Sequence, residues 1–270
     1  MLSKAKALPY KIFLFFVNAV HGRFRMKKLL QEFFKGNKSA ASRLISLAEN
    51  DEEKGRSVMK ELKPFLGRAH RVGITGAAGS GKSTLIHGLV GLLRKNGKKV
   101  GVIAIDPTSP LTGGALLGDR IRMQGYEKDN GVFIRSMAAR EGAGGLSKAA
   151  TRAASVLDAF GMEVVLIETT GVGQSETAVK DVVHTVVVVL TPGLGDDVQM
   201  MKAGLMEIGD VFVVNKGDLM NAEMTAKELE NMAAMLPRSA KKPPVIVTTA
   251  TEEKGVERLL KAIMEHGAES

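Results

Sequence analysis

Nine residues, Gly76-Ala-Ala-Gly-Ser-Gly81-Lys82-Ser83-Thr84, fit the spacing G-x-x-x-x-G-K-[ST]. The stretch before them, Arg71-Val-Gly-Ile-Thr75, is short, apolar and β-branched, the composition of a buried strand. The stretch after them, Leu85-Ile86-His87-Gly88-Leu89-Val90-Gly91-Leu92-Leu93, suits a helix packed against a sheet. Strand, glycine loop and helix in that order make a phosphate cradle. Glycine lets the backbone come close to phosphate oxygens, because no Cβ obstructs the approach. The turn aims several N–H groups at one point, and the helix N-terminus adds partial positive charge there. Gly76, Ala77, Ala78, Gly79, Ser80, Gly81 and Thr84 would line this cradle. Lys82 would reach the β- and γ-phosphates, and the Ser83 hydroxyl would ligate Mg²⁺.

The rest of the chain repeats the alternation. Apolar runs at 99–105, 132–135, 163–168, 185–190, 210–215 and 244–248 read as strands. Helical patterns fill the intervals at 146–160 and near 174–181, 197–207, 221–235 and 255–266. Most of these strands are apolar on both faces, which predicts an α/β fold: a mostly parallel sheet covered by helices on both sides. Upstream, 37–67 predicts a helical hairpin with Ser39 as N-cap, interrupted at Asn50-Asp51 and stopped by Pro64. Residues 1–36 form a basic extension, and 68–270 the nucleotide-binding domain. Within the extension, Ile12-Phe-Leu-Phe-Phe-Val17 follows Lys4, Lys6 and Lys11 like the front of a signal peptide, but the run is too short to span a bilayer. Met26 is an alternative start, and residues 1–25 are expected to pack poorly.

Charge narrows the partners. Residues 1–71 hold 16 Lys/Arg against 6 Asp/Glu, whereas 72–270 hold 22 against 23. The working domain is therefore neutral and carries no basic footprint for nucleic acid. The absence of cysteine excludes disulfides and thiolate metal sites and fits the cytoplasm. The five histidines, His21, His70, His87, His184 and His266, show no ligand spacing.

In a wound sheet, ligands bind beyond the carboxyl ends of the strands. Asp106 and Glu168 close two strands, and beside phosphates Mg²⁺ makes their added negative charge tolerable. Glu168-Thr-Thr-Gly171 has the form of a D-x-x-G element with Glu in place of Asp; the Gly171 N–H would contact the γ-phosphate. Val172-Gly173-Gln174-Ser175 then reads as a switch segment. Asn215-Lys216-Gly217-Asp218 follows an apolar strand in the N-K-x-D pattern. The Asp218 carboxylate would accept from guanine's ring N–H and exocyclic amine, a donor pair that adenine lacks. Asn215 would brace the loop, the Lys216 stem would cover the base, and a backbone N–H at Thr249-Ala250 would meet the guanine carbonyl.

From about Asn37 to Glu265 the chain resembles the ArgK/MeaB group of P-loop GTPases, which includes the human methylmalonic aciduria type A protein. The resemblance is carried by Gly73-Ile-Thr-Gly76, Asp106-Pro-Thr-Ser-Pro110, Gly113-Gly114 through Leu117-Gly118-Asp119-Arg120, Glu168-Thr-Thr-Gly-Val-Gly-Gln-Ser-Glu176, Gly195-Asp-Asp-Val-Gln199 with Lys202, and Met206-Glu-Ile-Gly-Asp210. It implies a GTPase that binds GTP or GDP with Mg²⁺ and serves as chaperone and gatekeeper for an adenosylcobalamin-dependent acyl-CoA mutase, typically methylmalonyl-CoA mutase. It implies that Lys82 and Ser83 are the P-loop pair and that Asp106, Asp119 and Glu168 handle metal and water. It also implies that the segment of Asp196, Gln199 and Lys202 is where a mutase alters turnover. Gly209 and Gly217 stand where the group usually has Ala, and His184 where it often has Asp. Relatives usually continue into a helical dimerisation arm, whereas this sequence stops near Ser270, which leaves a homodimer open and puts the usual one in doubt.

Other readings compete. A transport ATPase or kinase acting on a periplasmic amino-acid-binding protein, an older label for the group, is disfavoured by Asn215 to Asp218, which favour GTP over ATP. A metallochaperone for nickel or zinc would normally carry Cys/His clusters. A non-catalytic scaffold would bind nucleotide without turnover.

Overall fold

The computed structural model describes residues 25–106, 125–126, 128–138, 145–169, 175–193, 204–235 and 242–269. Seven strands alternate with helices. They are β1 (His70–Thr75), β2 (Val100–Asp106), β3 (Val132–Ala138), β4 (Val164–Glu168), β5 (Thr185–Leu190), β6 (Val211–Val214) and β7 (Val245–Val247). The helices are α1 (25–34), α2 (Lys38–Asn50), α3 (Glu52–Leu62), α4 (Lys82–Lys95), α5 (Gly145–Ala159), α6 (Ser175–Ala178), α7 (Leu205–Ile208), α8 (Ala222–Met235) and α9 (Val256–Glu269). The sheet order is β3-β2-β4-β1-β5-β6-β7, and every neighbouring pair is parallel.

Period-two alternation sorts the apolar strand residues onto two faces. Val72, Ile74, Leu166, Val187 and Val213 pack on one side with Leu85, Leu89 and Leu93 of α4 and Leu259 of α9. Val165, Ile167, Val188 and Phe212 pack on the other with α5, α8 and the hairpin of α2 and α3. A sheet buried on both faces needs strands that are apolar throughout, which is the pattern of the sequence.

The hairpin is built into the body. Leu44, Ile45, Val58 and Leu62 are fully buried, each contributing roughly 1.5–3 kcal/mol to docking. Two arginines clamp its bend. Arg152 of α5 donates to the Ala48 carbonyl at 3.1 Å and pairs with Glu52 at 2.8 Å. Arg135 of β3 donates to Ser46 Oγ at 3.0 Å and to Glu49 at 3.1 Å. The cap of α2 is Asn37 rather than Ser39. Its side-chain oxygen accepts from the N–H groups of Ser39 and Ala40 at 2.9 and 3.1 Å, so the helix starts two residues earlier than expected. Asp51 ends α2 and caps α3. Ahead of the hairpin, α1 places Phe33 in the core against Phe160, with ring centroids 5.2 Å apart, so residues 25–34 are packed. The Ile12–Val17 run and the expected poor packing of the first residues lie outside the described residues, apart from Arg25.

The chain enters β1 through Gly67, Arg68 and Ala69, whose three N–H groups all bond the buried Asp158 carboxylate at 2.7–3.1 Å. Beside that entrance sits a histidine group. His70 Nε2 and His266 Nδ1 each lie 2.8 Å from Thr185 Oγ1. His184 Nδ1 accepts the Arg71 N–H at 3.1 Å. An aspartate carboxylate could accept the same N–H. All of this lies at the amino ends of the strands, opposite the glycine loop.

Candidate functional site

At the carboxyl end of β1 the chain turns through Gly76–Gly81 into α4. Gly76 has φ +136°, and a Cβ there would collide with the Val189 carbonyl. Gly81 has φ +91°, and a Cβ there would collide with the Asn215 amide. Gly79, at φ +79°, faces open space. The Ser80 N–H closes the turn on the Ala77 carbonyl at 3.2 Å. Ala78, Gly79 and Thr84 are exposed, while Lys82 and Ser83 are buried. The Lys82 ammonium donates to the carbonyls of Gly76 and Ala77 at 2.8 and 2.9 Å, which holds a positive charge at the loop. The cradle fits phosphate for two reasons. Its glycines adopt backbone that side chains would block, and a cation stands beside it.

Two of the predicted metal residues meet directly. Ser83 Oγ donates to Glu168 Oε1 at 2.6 Å, and Glu168 is only 6% exposed. A hydroxyl whose proton points at a carboxylate keeps its oxygen lone pairs for a cation. Asp106 ends β2, one strand beyond β4, and is also buried. A hydroxyl with carboxylate oxygens is the donor set of Mg²⁺, which completes its shell with phosphate oxygens and water. Ser83, Asp106 and Glu168 therefore fit the ion.

The N-K-x-D segment follows β6. Asn215 is 2% exposed and holds three loops at once. Its Nδ2 donates to the Ser80 carbonyl at 2.9 Å. Its Oδ1 accepts from Thr248 Oγ1 at 3.0 Å and from the Ala250 N–H at 3.2 Å. Lys216 adopts φ +58°, and Gly217 donates its N–H to the Thr248 carbonyl at 2.9 Å, which turns the chain so that Asp218 is exposed. A Cβ on Gly217 would stand 2.7 Å from Val247 Cγ1, so an alanine there requires the Val247 side chain to shift. The Thr249 N–H bonds the Lys254 carbonyl at 3.0 Å, and the Ala250 N–H is engaged by Asn215.

The structure thus places Gly76 to Thr84, Asp106, Glu168, Asn215 to Asp218 and Thr249-Ala250 at the carboxyl ends of β1, β2, β4, β6 and β7. Asp119, Gly171 and Lys202 lie outside the described residues, as do Asp196, Gln199 and the start of the switch segment. Two site residues escaped the sequence reading: Thr75 and Thr169, whose hydroxyls are 3.1 Å apart. The available signal was a polar residue ending, or directly following, an apolar strand beside each phosphate-handling motif.

A parallel sheet whose first strand feeds this glycine loop, with a carboxylate on the loop's serine and a guanine-type segment tied to the loop, defines a P-loop GTPase. The chain belongs to the family described as methylmalonyl-CoA mutase-associated GTPase MeaB, whose sequence model matches residues 41–269. A protein of Pyrococcus abyssi with a provisional GTPase name is 54% identical over 245 residues, covering 88% of this chain and 75% of its own. GTPase ArgK of Escherichia coli is 35% identical over 239 residues, covering 85% of this chain and 72% of its own. Among solved structures, one described as a LAO/AO transport system kinase superposes with a TM-score of 0.71 at 27% identity, covering 90% of this chain and 74% of that one. Among the described residues no helix is long and apolar enough to cross a membrane.

Proposed function

We propose that this chain hydrolyses GTP with Mg²⁺ and uses the cycle to gate cofactor loading of an adenosylcobalamin-dependent acyl-CoA mutase of the methylmalonyl-CoA type. The observation that carries the nucleotide half is the Asn215 bridge, which sets the guanine-reading segment against the phosphate loop. The mutase half is supported by membership of a family described as mutase-associated.

In the reaction, water attacks the γ-phosphorus in line, and the bond to the β–γ bridging oxygen breaks with its electron pair left on GDP. Lys82 offsets the charge that grows on the phosphate oxygens. Mg²⁺, when bound, neutralises β- and γ-oxygens; Ser83, Asp106 and Glu168 would hold it, with Asp119 as a further acid. Glu168 orients the Ser83 hydroxyl. Asp218 accepts from the guanine edge, Lys216 covers the base, and Gly171 meets the γ-phosphate.

A second reading, a transport ATPase or kinase, draws on the description of the LAO/AO structure. Asn215 to Asp218 weigh against it, because an exposed carboxylate placed for guanine gains nothing from adenine. One experiment separates the two. The tagged protein is used to capture partners from native lysate with GDP or a non-hydrolysable GTP analogue. Nucleotide-dependent recovery of an acyl-CoA mutase supports the proposal; recovery of a solute-binding protein instead overturns it.

A further inference from the structure

We infer that Thr75 and Thr169 are positioning residues that register the γ-phosphate-sensing segment to the phosphate loop. Thr75 is the last residue of β1 and directly precedes Gly76; Thr169 directly follows Glu168 at the end of β4. The two strands are neighbours, and their ladder pairs Ile74 with Glu168 as its final rung. Thr169 extends the ladder by donating its N–H to the Ile74 carbonyl at 3.1 Å. Its hydroxyl then donates to Thr75 Oγ1 at 3.1 Å. Thr75 and Thr169 are 0% and 2% exposed, so water does not compete for this contact.

Alternation along β4 makes the arrangement two-sided. Glu168 shares a face with Leu166 and α4, and there it accepts from Ser83. Thr169 shares the opposite face with Ile167, and there it meets Thr75. The end of β4 is therefore pinned to the phosphate loop from below and from above: once through the serine at the head of α4, once through the residue ahead of the first glycine. Two residues past Thr169 stands Gly171, and a displacement of about 1 Å is enough to spoil a contact to a γ-phosphate. The hydroxyl pair holds Thr169 itself against Thr75. GDP carries no γ-phosphate, so its binding does not draw on the alignment.

The inference rests on reading 168–171 as the γ-phosphate segment. Four variants test it: Thr169→Val, Thr75→Val, the double variant, and Thr169→Ser. Valine keeps the shape, and the double variant leaves no orphaned hydroxyl, so it is expected to fold even where a single one is weakened. Folding is checked by thermal melting. Affinities for GDP and a non-hydrolysable GTP analogue are measured, with single-turnover hydrolysis, beside the parent protein and Lys82→Ala. The expected result is GDP affinity within threefold of the parent in each of the four threonine variants. Thr169→Val and the double variant lose about tenfold in hydrolysis and in preference for the GTP analogue over GDP. Thr169→Ser recovers most of both. Folded valine variants with parental hydrolysis and parental preference overturn the inference while leaving the GTPase reading intact. A parent that hydrolyses no faster than Lys82→Ala overturns that reading and this inference with it.

Discussion

The Asn215 side-chain amide stands 2.9 Å from the Ser80 carbonyl, so one buried residue ties the glycine loop to the N-K-x-D segment after β6. Asn215→Ala deletes three hydrogen bonds and leaves the Ser80 carbonyl, the Thr248 hydroxyl and the Ala250 N–H to find new partners. We expect a loss of about 2–4 kcal/mol in stability. GTP and GDP affinity should fall together, because both halves of the pocket loosen. Chemical denaturation and calorimetric titration check this; a variant that loses only base selectivity contradicts it.

Lys82→Ala should reduce turnover by at least about a hundredfold, because the charge that developing phosphate oxygens require is gone. The ammonium also ties the carbonyls of Gly76 and Ala77 together, so GDP binding should weaken too. Phosphate release under saturating GTP is the measurement. Parental turnover would show that the loop does not cradle the reacting phosphate.

Two glycines of one loop should respond oppositely to alanine. Gly76→Ala forces a Cβ onto the Val189 carbonyl at φ +136°, and neither backbone can give way. Loss of soluble protein, or a steep drop in melting temperature, is expected. Gly79→Ala meets open space and bears only the left-handed backbone penalty of about 1–2 kcal/mol, yet its methyl would stand where phosphate must approach. That variant should fold and bind GTP poorly.

Asp218→Asn should move preference from GTP toward XTP, since the amide can donate to the xanthine 2-oxo group. Asp218 is exposed, so stability should change little. Competition between the two nucleotides reads the shift. Retained GTP selectivity would place base recognition elsewhere.

At the other end of the sheet, burial first, and then His184 and His266, push His70 from an ordinary 6.5 down to about 4. His184 is held low as well, by burial and then by Arg71. The folded state thus binds fewer protons than the unfolded chain between about pH 6.5 and 4. The stability that neutral His70 contributes is intact above that window and is lost as pH falls through it. The urea midpoint should drop from pH 7.5 to pH 5, and His70→Asn should shallow the drop. Parallel pH curves for the two proteins would contradict the assignment.

Much of this architecture could be read from residue order. The two-faced apolar strands announce a buried parallel sheet, and Gly76 to Ser83 announce what sits at its edge. Strand order could not be read, because β2 and β4 are apolar on both faces and carry no mark of which neighbour flanks β1. Ser39 and Asn37 are both competent caps, and only coordinates show that the Asn37 oxygen reaches two N–H groups. The link between Asn215 and the Ala250 N–H could not be read either, because the two residues are far apart in sequence and meet only when β6 and β7 pair. Local chemistry names candidate donors and acceptors; three-dimensional neighbours decide which of them are spent inside the protein.

The strand that carries the glycine loop is hydrogen-bonded along both edges, to β4 on one side and β5 on the other. Sliding or tilting it would tear two ladders at once, so the floor of the pocket resists displacement. Whatever mechanical output nucleotide turnover produces cannot travel by moving that floor. Among the described residues, Ser83 with Glu168 and Thr75 with Thr169 reach from the end of β4 to the glycine loop's two flanks without any strand having to move.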